Sequence, residues 1–286
     1  MITPYFERAP RGRLYHADSR AIWPLLVAGG DGRGVVMFDP QYSEHVHTKS
    51  RAGARKSPLH NGDGRVLRAS ITRTKEFGFE AMTAADRAIF AVAAAAMTTR
   101  WCLVFSDIES CHLWRTALTS AGLEYVRTAI WHKIGGTPQF TGDRPAVGCE
   151  AITICHVPGV TKRWNGGGSH GWYEHPLTFS HQIVVEHGGS KEGEPRVHET
   201  QKPEALMLEL VELFTEPDEL VIDLTAGSST TLVAAIRRGR RGLGVERREK
   251  DVETGARRIE AELAGVSYYA RKSGQVGLFE QQEGAL

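Results

Sequence analysis

Two kinds of apolar pattern alternate along this chain. An unbroken apolar run, which marks a strand covered on both faces, occurs at 35–38 (Val-Val-Met-Phe), and 101–105 is a second apolar strand. The mainly apolar segments 14–17, 125–131, 151–156 and 242–245 also read as strands. Between them, apolar residues fall at helical spacing over 21–26, 83–98, 110–121, 203–214 and 251–263. Thr83 and Asp86 are spaced like a capping box with Asp in place of Glu. The run Val221-Ile222-Asp223-Leu224-Thr225-Ala226-Gly227-Ser228-Ser229-Thr230-Thr231 reads as a strand, a small-residue turn and a helix start. That helix continues through Leu232, Ala234, Ala235 and Ile236, and an arginine-rich turn, Arg237 to Arg241, leads to the strand ending at Glu246. Alternating strands and helices predict an α/β fold: a mostly parallel sheet with helices on both faces. Two stretches break the pattern. Residues 43–75 have few large apolar side chains and read as a mobile loop, and 159–197 are Gly- and His-rich and irregular. There is no internal repeat.

Composition narrows the picture. A chain of 286 residues accommodates one large α/β domain with an insertion, or two small domains. The net charge is only +1, so a nucleic-acid surface has to be a local patch. The irregular stretch supplies one: Lys49, Arg51, Arg55, Lys56, Arg65, Arg68, Arg73 and Lys75 stand against Asp63 and Glu76. Such a run is either a solvated loop or a clamp on phosphates. The most apolar stretch, 84–104, is interrupted by Asp86, Arg87 and Arg100, and reads as a helix and a strand rather than a membrane span. The first thirteen residues carry charges and prolines and no apolar signal segment, which points to the cytoplasm. Cys102, Cys111, Cys149 and Cys155 lack CxxC spacing, so reduced thiols are expected and neither zinc nor a disulfide framework is. His45 and His47 have no third ligand nearby in sequence, and no metal is expected.

A strand, a tight turn into a helix and an acid about 20 residues on is how a βαβ unit holds a nucleoside-type cofactor. The GxGxxG form of that signal is absent here. A second element of chemistry is Asp39-Pro40-Gln41-Tyr42, at the end of the apolar strand 35–38. Open α/β sheets place reactive groups there. An exocyclic amine is a poor nucleophile because its lone pair is delocalised into the ring. A carboxylate and a backbone carbonyl that each accept one N–H localise that pair and aim it, and an adjacent aromatic can stack on a base outside the duplex.

With these motifs in hand, the chain resembles a SAM-dependent DNA amino-methyltransferase of the permuted (β) class, the group that methylates adenine N6 or cytosine N4. Members carry Asp-Pro-Pro-Tyr, then His-x-Thr-Gln-Lys-Pro, then Asp-Pro-Phe-Ala-Gly-Ser-Gly-Thr-Thr. This chain has Asp39-Pro40-Gln41-Tyr42, His198-Glu199-Thr200-Gln201-Lys202-Pro203 and Asp223 to Thr231 in the same order, and the resemblance spans about 14–263. It implies a Rossmann-like, seven-stranded sheet with S-adenosyl-L-methionine (SAM) as cofactor and double-stranded DNA as partner. Asp39 and the Pro40 carbonyl would bind the target amino group, with Gln41 beside them and Tyr42 stacking on the flipped base. Thr200 and Lys202 would meet the methionine end of SAM. Asp223, Thr225, Ala226, Gly227 and Ser228 would line the cofactor pocket, Glu246 would hold the ribose and Asp18 would contact the adenine ring. Ile130-Trp131-His132-Lys133 also resembles a strand of the family. Asp at the head of the first motif favours adenine N6 over cytosine N4.

Gln41, Leu224, Thr225 and Ser229 depart from the family pattern. A Ser where the loop normally needs Gly predicts either backbone strain or a narrower pocket. An impaired relative that only binds DNA is therefore the alternative reading; an enzyme acting on RNA or a protein amide and an ordinary nucleotide-binding protein also stay open. The organisation expected is a catalytic half at 1–157 with its basic loop at 43–76, a target-recognition insertion at 158–197, a SAM-binding half at 198–270 and a flexible tail at 271–286. Arg51, Arg55, Lys56, Arg65, Arg73 and Arg163 are the candidate DNA contacts. Gln275, Leu278 and Phe279 resemble a peptide that docks on the bacterial sliding clamp; a fold-back onto the domain is the other reading of that tail. A homodimer is a further expected assembly.

Overall fold

A computed structural model of the chain describes residues 2–30, 32–41, 81–136, 144–177, 201–266 and 268. Among them nine strands form one sheet: β1 (Phe6–Arg8), β2 (Gly12–His16), β3 (Gly34–Phe38), β4 (Thr98–Ser106), β5 (Glu124–Ile134), β6 (Cys149–His156), β7 (Trp172–Pro176), β8 (Leu220–Asp223) and β9 (Arg241–Glu246). The strand order is β1-β2-β9-β8-β3-β4-β6-β5-β7. Only β1 and β6 oppose the common direction. The helices are α1 (Ser19–Ala28), α2 (Ala84–Met97), α3 (Cys111–Ser120), α4 (Glu204–Phe214), α5 (Thr230–Arg237) and α6 (Glu249–Leu263).

The apolar runs follow from burial on both sides of the sheet. Val36, Phe38, Cys102 and Val104 pack into one core with Phe90, Ala94, Trp114 and Leu118 of α2 and α3. Their neighbours Val35, Met37, Leu103 and Phe105 pack into a second core with Leu206, Leu210 and Phe214 of α4. Both faces are dry, so hydrophobicity does not alternate along these strands. A third core joins Leu14, Leu232 and Ile236 to Val252 and Ile259 of α6. Thr83 does cap α2, accepting from Asp86 N at 3.0 Å. Its hydroxyl meets Asp86 Oδ2 at 2.6 Å, and the acid also turns toward Arg20.

The sheet has nine strands, not the seven expected. The two extra are edge strands. Glu7 and Arg8 of the three-residue β1 are exposed, and it pairs only with β2. β7 lies inside the stretch expected to be irregular and pairs with β5 from Ile130↔Trp172 to Ile134↔Pro176. A short strand with one buried face is held by its neighbour's backbone, and its own side chains carry little signal. The segment leading to β7 is also fastened to the fold. Trp101 Nε1 donates to the Arg163 carbonyl at 2.7 Å, and Asn165 Nδ2 donates to the Glu212 and Thr215 carbonyls at the end of α4.

The common direction has one consequence for function. The carboxyl ends of β2, β3, β8, β9 and β5 and the amino end of β6 share one edge. Asp18, Asp39, Asp223, Glu246, Lys133 and Glu150 therefore collect there.

Candidate functional site

A cleft opens along that edge, lined by residues from six separate parts of the chain. Ala17 to Arg20 follow β2, Asp39 to Gln41 follow β3, and Gln201 and Lys202 precede α4. Asp223 to Ser228 form the turn after β8, and Glu246 ends β9. Met82, Asp86 and Phe90 of the α2 region complete the wall.

Asp39 is the centre of the cleft's chemistry. Its Oδ2 receives Lys202 Nζ at 2.5 Å across 163 residues of sequence. Its Oδ1 is buried and has no hydrogen-bond partner among the described residues. Lys202 also meets Glu150 Oε2 at 3.0 Å, and Glu150 Oε1 meets Lys133 Nζ at 2.8 Å. The Lys202 ammonium lies 5.2 Å from the Phe105 ring centre and 5.8 Å from that of Trp131. Desolvation pushes the Asp39 carboxyl above its ordinary range; Lys202 and Lys133 pull it down and Glu150 pushes it up. Lys202 is thus placed at the carboxylate of residue 39, a partner that its expected role beside the methionine end of the cofactor did not anticipate.

The turn after β8 is built around carboxylates. Asp223 is 4% exposed and accepts from Thr225 N at 2.9 Å. Burial pushes its carboxyl up to about 7; Thr231 and Thr225 oppose the shift, and Asp39 and Glu246 add to it. Glu246 accepts from Gly227 N at 2.9 Å and from Arg248 N at 2.7 Å. Both of its oxygens are therefore aimed by backbone at the mouth of the turn. Gly227 has φ 49°, which only glycine adopts without cost. Arg258 of α6, 3% exposed, reaches under the turn to the Ser228 carbonyl (2.7 Å) and Thr230 Oγ1 (2.9 Å). Its other nitrogen meets Glu204 Oε2 at 3.2 Å, tying the turn to the start of α4. Asp18 caps α1 by accepting from Arg20 N at 2.9 Å. The Arg20 guanidinium spans Asp18 and Asp86, both at 2.5 Å; it holds the Asp18 carboxyl below the usual range, and the Thr83 hydroxyl together with Arg20 does the same for Asp86. Asp18 thus sits at the cleft with its carboxylate already engaged.

Ser229 resolves the question that its sequence position raises. It stands in the left-handed region, φ 64° and ψ 33°, at the start of α5. An L-residue there costs about 1–2 kcal/mol. Its side chain is fully buried against Gly255 of α6, where an added Cβ would collide with Ser229 Oγ and lie 3.1 Å from Ser229 Cβ. Gly255→Ala alone is expected to destabilise the fold by about 1–3 kcal/mol through overpacking. Adding Ser229→Gly removes both the collision and the left-handed serine, and leaves the helix-propensity gain of alanine, about 1 kcal/mol. The double variant should be more stable than the parent in urea denaturation. Additive effects of the two changes would contradict this packing.

Of the predicted site residues, Asp18, Asp39, Pro40, Gln41, Lys202, Asp223, Thr225, Ala226, Gly227, Ser228 and Glu246 share the cleft. Tyr42, Thr200, Arg51, Arg55, Lys56, Arg65 and Arg73 lie outside the described residues, as do Gln275, Leu278 and Phe279 of the tail. Arg163 is not brought to the cleft: it lies beside Arg100 and Trp101, at the amino end of β4. The arginine-rich turn is structural: Arg237 pairs with Glu204 and Glu262, Arg238 with Glu212, and Arg240 with the Thr215 carbonyl. Sequence reasoning missed Arg20, Glu150 and Arg258, each of which lies outside the quoted motifs and meets a partner distant in sequence: Asp86, Lys202 and the Ser228 carbonyl. No group of His, Cys, Asp and Glu suited to a metal occurs among the described residues.

Comparison with known proteins identifies the family and the fold. The family model described as DNA methylase, of the N6/N4 methyltransferase type, matches residues 75–257. The DNA adenine methyltransferase YhdJ of Escherichia coli K12 is 37% identical over 94 residues, 30% of this chain and 31% of that protein. YubD, named as a methylase of the same organism, is 42% identical over 66 residues, 23% of this chain. The chain thus spans less than a third of the length of either relative, 29% for YubD. Among solved structures, the M1.HpyAVI–SAM complex superposes with a TM-score of 0.60 at 18% identity, covering 86% of this chain and 99% of that one. The cytosine-N4-specific PvuII DNA methyltransferase gives 0.58 at 15% identity, covering 93% and 94%. At these identities the two structures establish the shared fold.

Proposed function

The chain belongs to the DNA methylase family, and on that premise we propose that it moves a methyl group from SAM to an exocyclic amino nitrogen of DNA, adenine N6 before cytosine N4. The observation that carries this reading is Asp39 Oδ1, a buried acceptor without a partner among the described residues, in the same cleft as Gly227 and Glu246. SAM supplies a methyl group made electrophilic by a sulfonium centre. The cleft suits such a cation, since Asp39, Asp223 and Glu246 all line it. Glu246, with both oxygens held by backbone N–H groups, is placed to accept from ribose hydroxyls. Asp39 Oδ1 accepts one N–H of the target amine and the Pro40 carbonyl the other, which concentrates the lone pair on nitrogen. When that nitrogen takes the methyl group it becomes a four-bonded ammonium centre with two N–H bonds, whose positive charge faces the Asp39 carboxylate, which takes the departing proton or passes it to solvent.

Preference for adenine rests on Asp at the head of the motif and on the likeness to YhdJ. The basic segment with Arg51, Arg55, Lys56, Arg65 and Arg73 departs after Gln41 and returns before Met82, both in the cleft wall. That attachment supports phosphate contacts close to the reacting base. Incubation with labelled SAM and genomic DNA, followed by nucleoside separation, tests the reading: N6-methyladenine is expected, N4-methylcytosine would reverse the base preference, and no labelled nucleoside would refute the activity.

Asp223 gives a measurement independent of turnover. A bound cation favours its ionised form, so SAM binding near pH 7 should expel about half a proton from a group poised at about 7. Affinity for SAM should accordingly rise with pH through neutrality. Calorimetry in two buffers of different ionisation enthalpy reads the proton count, and Asp223→Asn should abolish it. The uncharged thioether product should expel much less.

A further inference from the structure

Behind Asp39 the structure holds more charge than its fold requires. Four ionic side chains from four segments alternate in sign: Asp39 after β3, Lys202 before α4, Glu150 at the start of β6 and Lys133 near the end of β5. Glu150 is 4% exposed and Lys202 is 7% exposed, and the Trp131 ring lies under both ammonium groups. Taking these ions out of water is costly, and apolar residues of the same volume would hold the sheet as well. One geometric result does need them. Lys202 occupies Asp39 Oδ2 and leaves Oδ1, buried, as the oxygen without a hydrogen-bond partner among the described residues. A lysine on a four-carbon stem is not fixed by one carboxylate; the second contact, to Glu150, determines where its ammonium sits.

We propose that Glu150, itself held by Lys133, is a positioning residue for methyl transfer: it pins Lys202 against one oxygen of Asp39 so that the other is presented to the target amine. This rests on the methyltransferase reading above. Among the described residues, the groups facing Asp39 are Lys202, Glu150, Lys133 and Asp223. Among them Glu150 raises the Asp39 carboxyl, so neutralising it leaves the two lysines less opposed and makes Asp39 harder to protonate.

Glu150→Gln tests this, being isosteric and uncharged. Three results are expected together. Lys202, having lost one of its two carboxylates, should react with an amine-acylating ester about fivefold faster or more by peptide mass spectrometry, while exposed Lys250 is unchanged. The Kd for SAM should stay within about twofold, and kcat should fall about tenfold without a matching change in KM. The acid limb of the kcat–pH profile should move to lower pH. Glu150→Asp, which keeps the charge but retracts it, should shift each readout the same way by less, and serves if the glutamine variant does not fold. Unchanged Lys202 reactivity overturns the proposal, as does loss of SAM affinity in step with kcat, which would make Glu150 merely structural. Lys202 reactivity is read without turnover. An inactive parent chain would therefore refute the methyltransferase reading, while the labelling result still decides whether the clamp exists.

Discussion

Asp39→Ala is expected to lower kcat for methyl transfer by about 10³-fold while leaving the Kd for SAM within about twofold. The exocyclic nitrogen attacks only when its lone pair is drawn out of the ring, and the two acceptors proposed to do this are Asp39 Oδ1 and the Pro40 carbonyl. Alanine deletes the charged one. The groups proposed to face the cofactor are elsewhere: the turn after β8 is held by Asp223 and Arg258, and Glu246 by two backbone N–H groups. The fold should survive as well, because Lys202 keeps Glu150 at 3.0 Å. Asp39→Asn should lose less than alanine, since its amide oxygen still accepts an N–H. Single-turnover methylation and calorimetric SAM titration separate these outcomes. If SAM binding disappeared with activity, the variant would be misfolded; if kcat were unchanged, the assignment of Asp39 would be wrong.

What the sequence made legible was whatever has a local cause. The strand 35–38 was readable because both of its faces are buried, and α2 because Thr83 caps it and apolar residues line it. Ser229 was readable as a strained position because the family pattern puts glycine there, and its φ of 64° is the strained outcome of the two foreseen. β7 was not, because what holds Trp172–Pro176 is the backbone of β5 rather than its own pattern. The cleft divides the same way. Asp39, Asp223 and Glu246 announce themselves by ending apolar strands. Arg20 and Glu150 do not: each is one charged residue among many until the sheet sets it opposite a partner, Asp86 in one case and Lys202 in the other. Lys202 lies between these extremes. Its motif marked it as functional, but the carboxylate it meets lies 163 residues away.

Removing that lysine should have the largest effect on stability. Lys202→Met keeps an unbranched apolar stem to pack on Phe105 and Trp131 and deletes only the ammonium. Asp39 and Glu150 then face one another without the cation between them, with Lys133 left to oppose them among the described residues. Breaking a buried pair by removing one partner costs about 3–5 kcal/mol, because the charge left behind is uncompensated. The protein can relieve that cost by protonating a carboxyl. Asp39, already raised by desolvation and by Glu150, is the one nearest to accepting a proton. Protonation removes the negative charge that localises the amine's lone pair, so activity should collapse at neutral pH and recover in part as pH rises. Adding Glu150→Gln removes the second carboxylate that faces Asp39 and should restore part of the stability without restoring wild-type activity. Urea denaturation at pH 7 and pH 9 reads the first effect, and the pH–rate profile the second. A Lys202→Met variant as stable as the parent would mean that Lys202 and its two carboxylates are not coupled, and the charge arrangement behind Asp39 would then have no part in holding its oxygen toward the cleft.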